Sequence, residues 1–152
     1  MAITTHELAL DYTPPYDWER VHAFIKKRLI TDVEWLDESS YGRTFTNCGI
    51  SGSFTATHRP RENTFHVQIE TKAGPACPGD LIATIRRVLD LDANSAAIDE
   101  HLRTNYRFAN HFIPGLRIPR CWNVFEAGVR AVLGQQVSVS AATHLTRELV
   151  QH

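Results

Sequence analysis

Groups able to do acid–base, nucleophilic or metal chemistry are plentiful in this 152-residue chain, and their spacing decides what they could do. Eight histidines and three cysteines, Cys48, Cys77 and Cys121, are the obvious metal ligands. Zinc sites draw on close pairs, such as Cys-x-x-Cys or two histidines one helical turn apart. No such pair occurs, so neither a metal site nor a cofactor is expected, and three distant cysteines read as reduced thiols. Asp99, Glu100 and Glu126 are the carboxylates to weigh as general acids. Asp99 and Glu100 suit the first turn of a helix, where the dipole favours negative charge. Glu126 stands four residues before Arg130, the spacing of an i,i+4 ion pair. None of the three is assigned to catalysis.

The net charge of −1 hides an asymmetry. Residues 1–100 hold 10 Lys/Arg against 15 Asp/Glu, whereas residues 101–152 hold 6 against 2, and all six of those cations are arginines. A basic, arginine-only segment joined to an acidic one suits contact with nucleic acid. Arg117, Arg120 and Arg130 are possible phosphate contacts, with charge pairing and solvation as equal alternatives. No window approaches the eighteen or so apolar residues of a membrane-spanning helix. His6, Glu7 and Asp11 interrupt any signal-peptide core, so a cytoplasmic location is expected.

Two stretches of different texture must position these groups, divided near residue 110. In the first, Leu8, Leu10 and Tyr12 alternate as in a half-buried strand. Pro14-Pro15 ends it, and Asp17 is placed to cap a helix whose Trp18, Val21, Ile25 and Leu29 form one stripe. Strand patterns follow at 33–38, 41–48, 50–57 and 64–70, with Ser39-Ser40 as a turn. Strict alternation of Phe65, Val67 and Ile69 with polar residues predicts an antiparallel sheet with one wet face. After the loop Gly74-Pro75-Ala76-Cys77-Pro78-Gly79, Asp80 is placed to cap a helix carrying Leu81, Ile82, Ile85, Val88 and Leu89. The order predicts an α+β domain over 1–110, with two helices on one face of the sheet. A short helix over Ser95 to Tyr106 leads out of it.

The second stretch, 111–152, opens with a Pro- and Gly-broken segment over 112–119. Trp122, Phe125, Val129, Val132 and Leu133 then suit one amphipathic helix, and Val137, Ala141, Leu145 and Leu149 another, with Gly134 as the bend between them. Two helices cannot bury that much apolar face together. They are expected to need further helices of a longer protein, or to hide the stripe against the sheet domain or a second chain.

Two blocks carry a family likeness. The first is Tyr12-Thr13-Pro14-Pro15-Tyr16-Asp17-Trp18, followed by a helix holding Phe24 and Arg28. The second is Pro114-Gly115-Leu116-Arg117-Ile118-Pro119, then the run from Phe125 through Gly134-Gln135-Gln136-Val137-Ser138-Val139. Both resemble the AlkA-type 3-methyladenine DNA glycosylase II family, in its order and spacing. Arg120 departs from the small residue usual in relatives. The resemblance implies a first domain similar to one repeat of the TATA-binding protein, then the opening helices of an all-helical, helix-hairpin-helix glycosylase domain. It implies double-stranded DNA containing alkylated bases as the partner, and a catalytic aspartate downstream of residue 152.

A glycosylase must extrude the damaged nucleotide into a pocket. Purines alkylated at N3 or N7 are cationic, and aromatic faces attract cations. The resemblance places Phe24 as a pocket aromatic and Gln136 as the side chain that fills the gap in the duplex, with Gln135 and Ser138 flanking it at the DNA. Periodicity alone makes Phe24 a core residue, and capping alone accounts for Ser138. Some relatives carry leucine at the wedge position, and glutamine wedges less well. Two alternatives stand beside the repair enzyme. One is an alkylation-responsive regulator of the Ada type fused to the glycosylase, and the other is a non-catalytic DNA-binding module. Trp18 and Trp122 are expected to open helices as packing anchors.

Overall fold

A computed structural model describes residues 3–47, 49–72 and 78–151. Cys48, Cys77 and most of the expected 74–79 loop lie outside the described residues. The chain forms β1 (Thr4–Asp11), α1 (Trp18–Lys26), β2 (Glu34–Leu36), β3 (Ser40–Asn47), β4 (Ile50–Arg59), β5 (Thr64–Thr71), α2 (Pro78–Val88), α3 (Ser95–Thr104), α4 (Val124–Leu133) and α5 (Val139–Gln151). The strands make one antiparallel sheet in the order β1-β5-β4-β3-β2.

Alternation fixes which face is buried, because a one-residue slip would turn every apolar side chain to water. Leu8 pairs with Val67, Val67 with Ala56, Ala56 with Tyr41 and Tyr41 with Leu36, giving one core-facing row across all five strands. Val21 and Ile25 of α1, and Leu81, Ile85, Val88 and Leu89 at α2, cover that face. Each such side chain contributes about 1.5–3 kcal/mol by leaving water. The α+β architecture is as expected, with shifted ends. The 33–38 pattern yields only Glu34–Leu36 as strand, since residues 30–33 turn into it and Asp37 accepts from Ser39 and Ser40. α2 starts at Pro78, so Asp80 lies in its first turn and is not the cap. The helix after β5 therefore begins with a proline, whose missing N–H is harmless there.

Asp17 caps α1 through a 3.1 Å bond from the Arg20 amide. Trp18 does open α1, and its indole donates to the Glu38 carbonyl at 2.8 Å. Trp122 does not open a helix. It precedes the cap Asn123 and lies stacked on Phe54 and Phe45 at 5.8 and 6.3 Å, extending the core beyond α2.

Between α3 and α4 the chain returns across the sheet domain as a strap, held by polar side chains. Arg117 is 4% exposed, and its guanidinium donates to the carbonyls of Asp90, Ala93, Thr13 and Pro15 while resting against the Tyr16 ring. It is a structural clamp and not a phosphate contact, because all its useful donors point inward. Gly115 has φ +73 and sits so close to Pro15 that a Cβ would come within 2.8 Å of its carbonyl carbon. The Gly115 amide donates to Asp99 Oδ2 at 3.0 Å, and its carbonyl accepts from the Asp17 amide. Asp99 is thus a buried anchor in the middle of α3, and Asn94 caps that helix instead. Arg87 donates to the carbonyls of Cys121 and Trp122 at the far end of the strap.

α4 and α5 meet the sheet domain through polar groups, contrary to the expectation that their apolar stripe would hide there. Thr143 donates to the Lys27 carbonyl at 3.3 Å and Arg147 to the Leu29 carbonyl at 3.0 Å. The buried residues of α5 are Thr143 and Thr146, whereas Phe125, Val132, Leu145 and Leu149 are exposed. The chain just past the end of α1 presents carbonyls with no helical partner, and Thr143 and Arg147 of α5 satisfy two of them. No helix among the described residues is long and apolar enough to cross a membrane.

Arg117→Met leaves up to four carbonyls without their donor, so unfolding in urea should show a loss of about 3 kcal/mol. Arg117→Lys should recover only a fraction, because an ammonium lacks the planar fork. His58 shares a 2.9 Å hydrogen bond with the Tyr12 hydroxyl inside the Tyr16, Trp18 and Phe65 cluster, and burial lowers its pKa. The unfolded chain then binds the proton more readily than the folded one. Stability contributed by neutral His58 is complete above about pH 6.5 and falls as pH drops through that value toward the lower folded pKa. His58→Gln should flatten that part of the Tm-versus-pH curve, and an unchanged curve would contradict it.

Candidate functional site

The register that builds the core also creates a charged seam at its edge. Ile69, Phe54, Arg43 and Glu34 are successive cross-strand partners on the core-facing side, so two charges occupy positions where apolar residues continue the row. Glu34 and Arg43 have side chains only 6% and 7% exposed and lie 3.4 Å apart. α4 completes the arrangement. Glu126 approaches Arg43 at 3.0 Å, and Arg130 approaches Glu126 at 2.9 Å and Glu34 at 3.5 Å. The expected Glu126–Arg130 pair is present, but as two corners of a four-charge square joining α4 to the sheet.

Glu34, Arg43 and Arg130 have further partners. Tyr41 donates to Glu34 at 2.9 Å, the Ile30 amide donates to the other Glu34 oxygen, and Arg130 donates to the Arg28 carbonyl. Burial, reinforced by Glu34, holds the Tyr41 hydroxyl well above the usual phenol range. Burial works against the charge on Arg43, but Tyr41 and the two carboxylates outweigh it and raise its pKa. Arg43 also lies 4.7 Å over the Trp122 ring. Arg130 is thereby committed to protein partners and is no phosphate contact, while Arg120 remains exposed.

Above this square opens a cleft of about 320 Å³ between α1, α4 and the strap, near the low end of volumes that hold small ligands. Phe24 forms one wall. It stands beside the Val21/Ile25 stripe of α1 and is 41% exposed, so it belongs to the cleft and not to the core. Arg28, one turn further on, places its guanidinium 3.9 Å from the ring centroid and donates to the Phe24 carbonyl at 3.3 Å. The ring face therefore already attracts a cation. Cys121, a free thiol, lines the same cleft, and burial raises its pKa.

The turn between α4 and α5 carries the other expected residues. Gly134 ends α4 with an ordinary φ of −86, so it is not where the chain bends. The bend lies at Gln136, whose φ of +59 places a non-glycine residue in the left-handed region. Such a residue costs about 1 kcal/mol and persists only where its surroundings hold it. Gly134 has a different constraint, since a Cβ there would come within 2.8 Å of the Arg130 carbonyl. Ser138 caps α5, accepting from the Ala141 amide at 3.2 Å through its hydroxyl. Gln135, Gln136 and Ser138 are all exposed. None of them lines the Phe24 cleft, but a second depression beside the turn shares Arg28 and Arg130 with it.

Chemically this is a binding surface. The two carboxylates in the cleft are each held by two arginines, and Asp99 is consumed by the strap, so none of them is poised as a general base. Among the described residues no three His, Cys, Asp or Glu gather where they could hold a metal ion. Sequence reading singled out Phe24 and the turn but did not single out Glu34, Arg43 and Tyr41. The only signal for them was two charges at core-parity positions of adjacent strand patterns.

Residues 7–123 match the model of the AlkA N-terminal domain. The chain is 33% identical over 142 residues to DNA-3-methyladenine glycosylase 2 of Escherichia coli strain K12, covering 93% of this chain and 49% of that protein. It is 33% identical over 149 residues to a probable bifunctional transcriptional activator/DNA repair enzyme AlkA of Mycobacterium tuberculosis, covering 94% of this chain and 29% of that protein. Its structure is similar to the 3-methyladenine DNA-glycosylase from Archaeoglobus fulgidus, with a TM-score of 0.77 at 15% identity, over 95% of this chain and 50% of the other. The chain thus spans about half the length, or less, of the relatives it matches.

The square makes a measurable prediction. Glu34→Gln leaves Arg43 and Arg130 sharing one carboxylate in a dry setting, and should lower stability by about 3 kcal/mol. Hydrogen exchange should rise at α4 before it rises at β5, because α4 is the element the square attaches. Equal acceleration at both would contradict that role.

Proposed function

The chain belongs to the AlkA N-terminal domain family, and on that premise we propose that it serves a DNA N-glycosylase of base-excision repair that releases alkylated, 3-methyladenine-type purines by hydrolysis. The observation that carries this reading is the exposed Phe24 ring in a cleft that adjoins the α4–α5 turn through Arg28 and Arg130. An alkylated purine bearing positive charge stacks on Phe24 once Arg28 swings off the ring, exchanging one cation for another. Gln136 enters the space the nucleotide leaves, and Gln135 and the capped start of α5 at Ser138 lie along the backbone. The domain boundary falls near residue 110, and residues 111–152 open the helical domain. The exposed Phe125, Val132, Leu145 and Leu149 face its remaining helices. The family resemblance implies a catalytic aspartate downstream of residue 152 as the group that activates water, and the cleft carboxylates Glu34 and Glu126 are committed to ion pairs. Chromosomal DNA as substrate places the enzyme in the cytoplasm.

A second reading rests on the likeness to the bifunctional activator and repair enzyme. In it, the same glycosylase unit follows a regulator that senses alkylation. A cysteine-bearing zinc module encoded ahead of this unit would distinguish the two.

Release of 3-methyladenine from alkylated duplex DNA tests the proposal. The full-length gene product should release the base, and the 152-residue chain should not. Phe24→Ala should lower kcat/KM about tenfold for the cationic base, the loss of one desolvated cation–π contact. Gln136→Gly keeps the left-handed turn and removes only the wedge, so it should weaken duplex binding without loss of stability. Full-length protein that binds DNA yet releases nothing overturns the enzyme reading in favour of a recognition module.

A further inference from the structure

From His101 to Phe125 the sequence contains no carboxylate, although it includes Arg103, Arg107, Arg117 and Arg120. Arg117 is buried and the exposed Arg120 lines the Phe24 cleft, so Arg103 and Arg107 are the exposed arginines at the end of α3 and the turn after it. That turn is well defined. The Asn105 side chain accepts from the Arg107 amide at 3.0 Å, its carbonyl accepts from the Phe108 and Ala109 amides at 2.9 Å, and the Phe108 carbonyl accepts from His111 and Phe112. The turn holds aromatic rings in water beside guanidiniums. Tyr106 is 82% exposed and Phe108 50%. Arg107 donates to the Tyr106 hydroxyl at 2.8 Å with its guanidinium 5.5 Å from the ring, and Arg103 stands 5.6 Å from the Phe112 ring.

Among the described residues, neither packing nor charge pairing accounts for Tyr106 and Arg107. Arg103 has Glu100 at 2.7 Å, but among the described residues Arg107 has no carboxylate, and the Tyr106 ring is left almost wholly in solvent. Exposed aromatic faces alternating with arginines form the platform on which unpaired bases stack while cations meet their phosphates. A duplex offers no base faces, so the geometry discriminates between strand states. We propose that Tyr106, Arg107 and Phe108, with Arg103 beside them, form a binding site for single-stranded DNA, separate from the Phe24 cleft and the Gln136 turn. It goes beyond the proposed repair activity and does not depend on base excision.

Fluorescence anisotropy with a labelled 12-mer of thymidylate and a labelled duplex of equal length tests it. Wild-type chain should bind the single strand with affinity that falls as salt rises. Tyr106→Ala should weaken that binding about 5- to 100-fold, and Tyr106→Phe, which keeps the ring, should restore it. Arg107→Gln should weaken it and reduce the salt slope by about 0.7. All three variants should leave duplex binding within about twofold, whereas Gln136→Gly should do the reverse. The inference is overturned if the wild-type chain does not bind the single strand, or if Tyr106→Ala leaves that affinity unchanged. A Tyr106→Ala protein with wild-type Tm excludes misfolding as the cause. Failure of Gln136→Gly to affect duplex binding counts against the repair reading alone.

Discussion

Two carboxylates and two guanidiniums held out of water at the sheet edge determine where the functional surfaces lie. An unpaired charge in that setting is costly, so Glu34 and Arg43 require partners that their own strands supply only in part. α4 brings the missing pair, Glu126 and Arg130, with the i,i+4 spacing of one helix face. Once the square closes, α4 cannot rotate or slide without breaking several charged hydrogen bonds together. The cleft has the square as its floor, and its walls, Phe24 on α1 and Ala131 on α4, inherit that rigidity. The apolar row that ends in these charges thus trades some burial for a directional joint. Apolar packing alone leaves orientation less determined.

The strap solves the same problem for an irregular segment. Residues 113–121 cannot form a regular ladder, so the polar groups of that backbone need other partners. Asp99 and Asp90 supply them for the Gly115 and Ile118 amides, and Arg87 supplies one for the Cys121 carbonyl. Arg117 collects carbonyls from two separate segments, tying the Pro14–Pro15 corner to the end of α2 and thereby fixing the start of α1. The Phe24 wall and α4 are therefore oriented from both ends, by the square on one side and the strap on the other.

α5 shows that a stripe of apolar residues does not say which neighbour it meets. Thr143 turns inward because the segment after α1 presents a carbonyl in need of a donor, whereas the buried Thr146 hydroxyl donates within its own helix to the Ala142 carbonyl. Leu145 and Leu149 are left facing away. The exposed Phe125 and Val132 on α4 point to the same requirement for cover, which the sheet domain does not provide.

Alternation along β1, β4 and β5, the Val21/Ile25 stripe and the capping residues Asp17 and Ser138 were legible in the sequence. Each expresses a local periodicity or a bond spanning three residues. The motif blocks around Pro14-Pro15 and Gly134-Gln135-Gln136 drew attention to Phe24 and the turn, although not to the glutamine as the point of bending. What the sequence left open was the fate of the charges. Arg117 and Arg130 read equally as phosphate contacts, charge pairs or solvated residues, and Asp99 as a first-turn carboxylate, but all three are consumed by partners up to 102 residues away. Local spacing determines secondary structure because backbone hydrogen bonds and side-chain parity repeat over short distances. A charge takes its role from whichever groups the fold brings within about 3 Å of it, and only tertiary structure decides those.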